Sequence, residues 1–190
     1  MTLANKITIA RIAAIPAFVM LAIYYGESVQ EGTRQPWLRY AAMAVFLLAA
    51  VTDALDGFVA RRFNQHTKLG RVLDPIADKG LLLSALLVLT FGHWEVKFPL
   101  WFLILVIARD IAIVLGCLLL QFLNGDVTVR PSWMGKVATF MQMAAIAWVM
   151  LQLHTPPPIY IICLAGVFTL ASWIGYGIEG VRQVKSAEKG

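Results

Sequence analysis

Six nearly uninterrupted apolar stretches set the first limit on this chain, at roughly 7–26, 37–61, 70–92, 97–122, 132–153 and 157–180. A helix needs about 20 predominantly apolar residues to cross the hydrocarbon of a bilayer, and each stretch is about that long. Of 190 residues, 59% are hydrophobic and 14% charged. Soluble domains run nearer 45–50% apolar and about 25% charged. A buried soluble bundle is the competing reading, but 98–108 and 111–123 leave no polar face for water. The sequence therefore predicts an all-α integral membrane protein, a single domain over 1–190 with six transmembrane helices. The first stretch has a basic start (Lys6, Arg11) but no small-x-small cleavage site before a soluble domain, so it reads as a retained helix.

Charge placement orients the helices. With a cytoplasmic N-terminus, the inner side carries Lys6, Arg11, Arg61, Arg62, Lys68, Arg71, Lys79, Arg130, Lys136, Arg182, Lys185 and Lys189, and the outer side Arg34, Arg39 and Lys97. That is the bias of a protein with both termini cytoplasmic. Basic residues at helix ends, rather than on one soluble face, argue against a nucleic-acid partner. Cys117 and Cys163 fall inside spans and read as small packing residues, not a disulfide or metal pair. His66, His93 and His154 are isolated near loops and read as surface histidines.

Against this apolar background, four carboxylates crowd into TDALDGFVARRFNQHTKLGRVLDPIADK. Asp53 and Asp56 are i,i+3 neighbours and share a helix face; Asp74 and Asp78, at i,i+4, share a face of the next helix. Two such helices side by side aim four anions at one point. In a low-dielectric site these need protons or cations, and an all-oxygen donor set suits Mg²⁺ or Mn²⁺. Gly57, one turn past Asp53, lets a ligand approach the backbone, as does Gly70 on the facing chain. Arg61 offers a planar fork to a phosphate oxygen. Read singly, Gly57 is equally a helix-packing glycine, and Arg62 a cation snorkelling to headgroups. Together the groups suit a nucleotide diphosphate bridged to protein by divalent metal.

The spacing Asp-x2-Asp-Gly-x2-Ala-Arg-x8-Gly-x3-Asp-x3-Asp is complete, at Asp53, Asp56, Gly57, Ala60, Arg61, Gly70, Asp74 and Asp78. It resembles the signature of the CDP-alcohol phosphatidyltransferases, integral membrane enzymes whose helix layout and length this chain also resembles. The resemblance implies transfer of a phosphatidyl group from CDP-diacylglycerol to an alcohol, with release of CMP. It implies Asp53, Asp56 and Asp74 as metal ligands, and Asp78 as the base that takes the acceptor proton, touching a metal as well. It implies Asp56, Gly57, Ala60, Arg61 and Gly70 as nucleotide contacts, with Asn5 and Thr8 of LANKITIAR from a less specific match. It also implies a homodimer. Because the second helix ends and the third begins on the cytoplasmic side, the site is expected at the cytoplasmic face of a bacterial inner membrane. A cation- or proton-coupled transporter is the reading from another class, since intramembrane carboxylates also mark ion pathways.

The second half bears on the acceptor. Arg109 and Asp110 lie well inside the fourth span, and a buried pair there is costly without partners. With Arg130 and Lys136 they are the candidate acceptor contacts. Lys136, Thr139 and Gln142 (i, i+3, i+6) are expected to share one face. GKVATFMQMAAI resembles the branch that uses glycerol 3-phosphate. That branch carries Arg-Glu in its fourth helix and a second arginine eight positions after the first; here Asp110 and Cys117 stand there. The preferred expectation is therefore the branch whose acceptor is phosphatidylglycerol and whose product is cardiolipin, with glycerol 3-phosphate as the alternative.

Overall fold

The computed structural model describes residues 3–63, 70–124, 133–153 and 155–187; at 3–8, 53–63, 70–78, 117, 119–121, 123–124 and 180–187 it describes the backbone alone. Six helices and no strand occur among them: α1 (Leu3–Gln30), α2 (Pro36–Phe63), α3 (Gly70–Phe91), α4 (Leu100–Asn124), α5 (Trp133–Leu151) and α6 (Pro158–Ala187). Their bounds fall close to the six apolar stretches, because helices satisfy every backbone polar group internally where water is scarce. Punctuation is local. Pro36 and Pro158 open α2 and α6, where a missing N–H costs nothing. Past the end of α1, Gly32 adopts φ 74°, and the Thr33 and Arg34 amides donate to the Ser28 carbonyl, both at 3.0 Å. That is the left-handed cap glycine allows.

Among the described residues, Ile9–Gln30, Trp133–Leu151 and Pro158–Glu179 are long and apolar enough to cross a membrane. The exposure pattern agrees. Buried positions include small residues such as Ala22, Ala42, Ala138, Ala145 and Ala165, while Met20, Leu48, Phe140, Val167 and Ile174 point outward. Large outward apolar side chains over small inward ones suit helices packed together in lipid.

The chain forms two compact units. In the first, residues 1–97 with 149–152, α1 packs along both α2 and α3, which also touch each other. Phe18 meets Phe46 with ring centroids 5.8 Å apart, and the Gln35 amide donates to Ser28 Oγ at 3.3 Å, so α1 and α2 are antiparallel. Gly80 lies against Ile15, and Trp94, just past α3, donates its indole N–H to the Ala22 carbonyl at 3.0 Å, so α1 and α3 are parallel. Polar contacts close the far end of this unit. Arg34 pairs with Glu95, Arg39 donates to Gln152 Oε1, and Gln152 Nε2 donates to the Tyr25 hydroxyl at 2.9 Å.

In the second unit, 98–148 with 153–190, α4 packs on α6. Trp101 covers Gly166 and Arg109 reaches Ser172, so these helices are parallel. Gln142 meets Thr169 and Met134 meets Gly175, so α5 runs antiparallel to α6. Cys163, expected as a packing residue, is a free thiol on the exposed side of α6; the side chain of Cys117 lies outside the described set. His93 is exposed as expected; His66 and His154 lie outside the described residues.

A Cβ at Gly166 would stand 3.1 Å from Trp101 Cζ3, whereas Gly177 on the same helix has open space. Gly166→Leu should therefore destabilise the protein by about 1–3 kcal/mol through overpacking. Gly177→Leu should be neutral or slightly stabilising through helix propensity. Thermal unfolding of the two variants in detergent checks the contrast.

Candidate active site

Helix register places the two carboxylate-bearing turns of the first unit at a similar height. Phe18 faces Phe46 across an antiparallel pair, so seven residues back along α1, at Arg11, the facing position on α2 is Asp53. Ile15 faces Gly80 across a parallel pair, so the same step back from Ile15 to Arg11 reaches residue 76 on α3, between Asp74 and Asp78. Both carboxylate-bearing turns thus lie at one level of the three-helix unit. Asp56, Gly57, Ala60 and Arg61 continue along α2, and Gly70 opens α3. The side chains of Asp53, Asp56, Asp74, Asp78 and Arg61 lie outside the described set, as do those of Asn5 and Thr8 at the start of α1. Among the described residues no group of three or more His, Cys, Asp or Glu gathers to hold a metal. The donor chemistry at this level remains all oxygen, which fits a hard divalent cation.

Charge counting along the sequence treats Arg11 as one more cytoplasmic-side cation. It is also buried, only 2% exposed. It shares with Ile15, Phe18, Ala22 and Tyr25 the stripe that α1 turns toward α2 and α3. The signal that distinguishes it is its phase: positions 11, 15, 18, 22 and 25 repeat at helical spacing. A buried cation at the level of four carboxylate positions lowers the cost of bringing those anions together.

The second unit carries a polar network on what is otherwise an apolar seam. Phe102, Val106 and Arg109 form the buried stripe of α4, and Arg109 is 3% exposed. Its Nη1 donates to Asp110 Oδ1 at 2.9 Å and its Nη2 to Ser172 Oγ at 2.9 Å. The Tyr176 ring centroid lies 5.8 Å from the guanidinium carbon. Arg109 Nε is buried without a hydrogen-bond partner among the described residues. Nearby on the α5–α6 seam, Thr169 Oγ1 donates to the Ala165 carbonyl at 2.8 Å and accepts from Gln142 Nε2 at 2.9 Å. Because the Thr169 proton is already committed, the Gln142 amide is oriented with Nε2 toward it. Gln142 Oε1 is left as a buried acceptor with no partner among the described residues.

The structure divides the expected acceptor contacts. Arg109 and Asp110 are together, the first buried and the second half-buried. Arg130 lies outside the described residues. Lys136 is exposed, Thr139 is half-buried and donates to the Gly135 carbonyl of its own helix at 3.1 Å, and Gln142 has no exposed surface. The expectation that these three share one face fails. Six residues of helix rotate the last about 120° from the first, so α5 grades from surface to interior along them.

The chain matches the CDP-alcohol phosphatidyltransferase family over residues 1–176. The chain belongs to that family, and it is a membrane-associated transferase of phospholipid biosynthesis. The transporter alternative is set aside accordingly. Among curated proteins it is 38% identical over 146 residues, covering 76% of this chain and 74% of theirs, to relatives from Escherichia coli strain K12, Shigella flexneri serotype 5b and Shigella sonnei. Each of those is named CDP-diacylglycerol–glycerol-3-phosphate 3-phosphatidyltransferase.

An amide oxygen buried without a partner is kept at the expense of stability. Gln142→Leu should therefore leave the melting temperature unchanged or raised, while lowering turnover. A fall in melting temperature with turnover intact would make Gln142 a purely structural residue.

Proposed function

We propose that this protein transfers the phosphatidyl group of CDP-diacylglycerol to glycerol 3-phosphate and releases CMP, with Mg²⁺ or Mn²⁺ held by Asp53, Asp56, Asp74 and Asp78. The observation that carries the reading is the complete aspartate motif on two helices whose carboxylate-bearing turns lie at one level. The acceptor follows the relatives, which act on glycerol 3-phosphate by name. The sequence pattern favours phosphatidylglycerol because Cys117 stands where a second arginine would serve a dianion. One missing cation weighs less than 38% identity over most of the chain, and Arg130 and Lys136 offer the compensating charge. Six spans, cytoplasmic termini, a site at the cytoplasmic face of a bacterial inner membrane and a homodimer complete the proposal, supported by the positive-inside charge bias and by family resemblance.

The chemistry is a displacement at the phosphorus that carries the diacylglycerol. The acceptor hydroxyl forms a new P–O bond, the P–O bond to CMP breaks, and the hydroxyl proton passes to the Asp78 carboxylate. A divalent cation would neutralise developing charge in the transfer. Asp53, Asp56 and Asp74 would hold it, with Asp78 touching it as well as taking the proton. Gly57 and Gly70 leave room for the nucleotide, Asn5, Thr8, Ala60 and Arg61 contact it, and Arg109, Asp110, Arg130 and Lys136 bind the acceptor.

The test is an assay in detergent with CDP-diacylglycerol and a panel of acceptors, read as CMP release and lipid product. Glycerol 3-phosphate should be the fastest acceptor, and chelation should abolish turnover. Faster conversion of phosphatidylglycerol to cardiolipin would overturn the acceptor assignment, and full activity in excess chelator would overturn the metal site. Asp78→Asn should lower the rate by about 10²–10⁴-fold, the usual contribution of a positioned base, with CDP-diacylglycerol binding near normal.

A further inference from the structure

The buried stripe of α6 carries hydroxyls where a lipid-embedded helix would otherwise pack apolar side chains. Ile162 and Ala165 lead into Thr169 and Ser172, and both hydroxyl residues have no exposed surface. Thr169 is accounted for by its own helix, since it donates to the Ala165 carbonyl. Ser172 is not. Its one partner among the described residues is Arg109 Nη2, at 2.9 Å. It is a buried hydroxyl that accepts from a guanidinium on another helix.

That contact decides what Arg109 can offer. An arginine has five N–H donors and a planar fork that matches a carboxylate bidentately. Asp110 is adjacent in sequence, yet its pairing with Arg109 runs through one oxygen, Oδ1, and one nitrogen, Nη1. Ser172 takes the other terminal nitrogen from the opposite helix. The guanidinium is thereby held at both ends, by Asp110 at Nη1 and by Ser172 at Nη2. Nε is buried with no hydrogen-bond partner among the described residues.

We propose that Ser172 is the positioning residue for Arg109: by accepting from Nη2 it holds the fork open for the phosphate of the anionic acceptor, and so sets acceptor affinity from a helix that contributes no other acceptor contact. The inference rests on the acceptor role proposed for Arg109. Without the serine oxygen, Nη2 loses its anchor on α6, the guanidinium is no longer fixed in orientation, and the acceptor loses a prearranged partner. The donor substrate is unaffected, because the nucleotide contacts lie on α1, α2 and α3.

Steady-state kinetics with each substrate varied in turn test this. Ser172→Ala should raise the KM for glycerol 3-phosphate by about tenfold, as expected for a lost hydrogen bond to a charged group, with kcat and the KM for CDP-diacylglycerol within about twofold of wild type. Ser172→Thr, which keeps the oxygen, should restore the acceptor KM. Ser172→Cys keeps the shape with a weaker acceptor and should fall between, which preserves the test where the alanine variant fails to fold. Equal changes in both KM values, or a lower melting temperature with both unchanged, would overturn the proposal. Arg109→Gln separates the two levels of the argument. If it leaves the acceptor KM unchanged, the acceptor role of Arg109 falls and the positioning role with it. If it raises that KM and Ser172→Ala does not, the acceptor role stands and only the positioning role falls.

Discussion

The register of α1 against α2 and α3 is the constraint on which the candidate site depends. Helices in lipid gain no hydrophobic driving force from associating with one another, so close packing and buried polar contacts set their alignment. Here the contact of Ile15 with Gly80 and of Phe18 with Phe46 fixes that alignment at the middle of the unit. The Trp94 bond to the Ala22 carbonyl, and the bridge from Arg39 on α2 through Gln152 to Tyr25, fix it at the far end. Given those contacts, Arg11, Asp53 and the Asp74–Asp78 turn lie at one level. A shift of one helical turn would move a carboxylate-bearing turn about 5.4 Å along the axis, which is more than a metal ligand tolerates.

How much of this is legible in the sequence follows from what kind of signal each feature leaves. Apolar length yields six helices close to their observed bounds, since a helix in lipid has few alternatives. The eight motif positions point to the family, because a polar set at that fixed spacing in an apolar chain is hard to arrange for any purpose but a shared site. The burial of Arg11 escapes charge counting, which treats every arginine near a helix start alike, whereas burial depends on phase within α1. Ser172 and Thr169 escape for a related reason: hydroxyls are common on membrane helices, and only the packing partner distinguishes a back-bonded threonine from a serine that accepts from Arg109. The grouping of Lys136 with Gln142 fails because it uses spacing alone where the turn angle is needed.

The acceptor assignment shows the same division. The transfer chemistry is written in many positions, whereas acceptor choice rests on a few cations whose charge is tuned by neighbours. Asp110 beside Arg109 offsets positive charge on α4 and Cys117 adds none, which makes a singly charged acceptor attractive. Relatives 38% identical over most of the chain point instead to glycerol 3-phosphate. On the proposed reading, the donors of the buried Arg109 and the charges of Arg130 and Lys136 make up for the second arginine.

The most direct measurement is Mn²⁺ binding to the purified protein by electron paramagnetic resonance, comparing wild type with Asp53→Asn on α2 and Asp74→Asn on α3. If both helices contribute to one centre, wild type silences the free-ion signal, each single substitution weakens that effect, and the double substitution adds less than the two combined. Wild-type Mn²⁺ binding in both single variants would contradict a shared centre between α2 and α3.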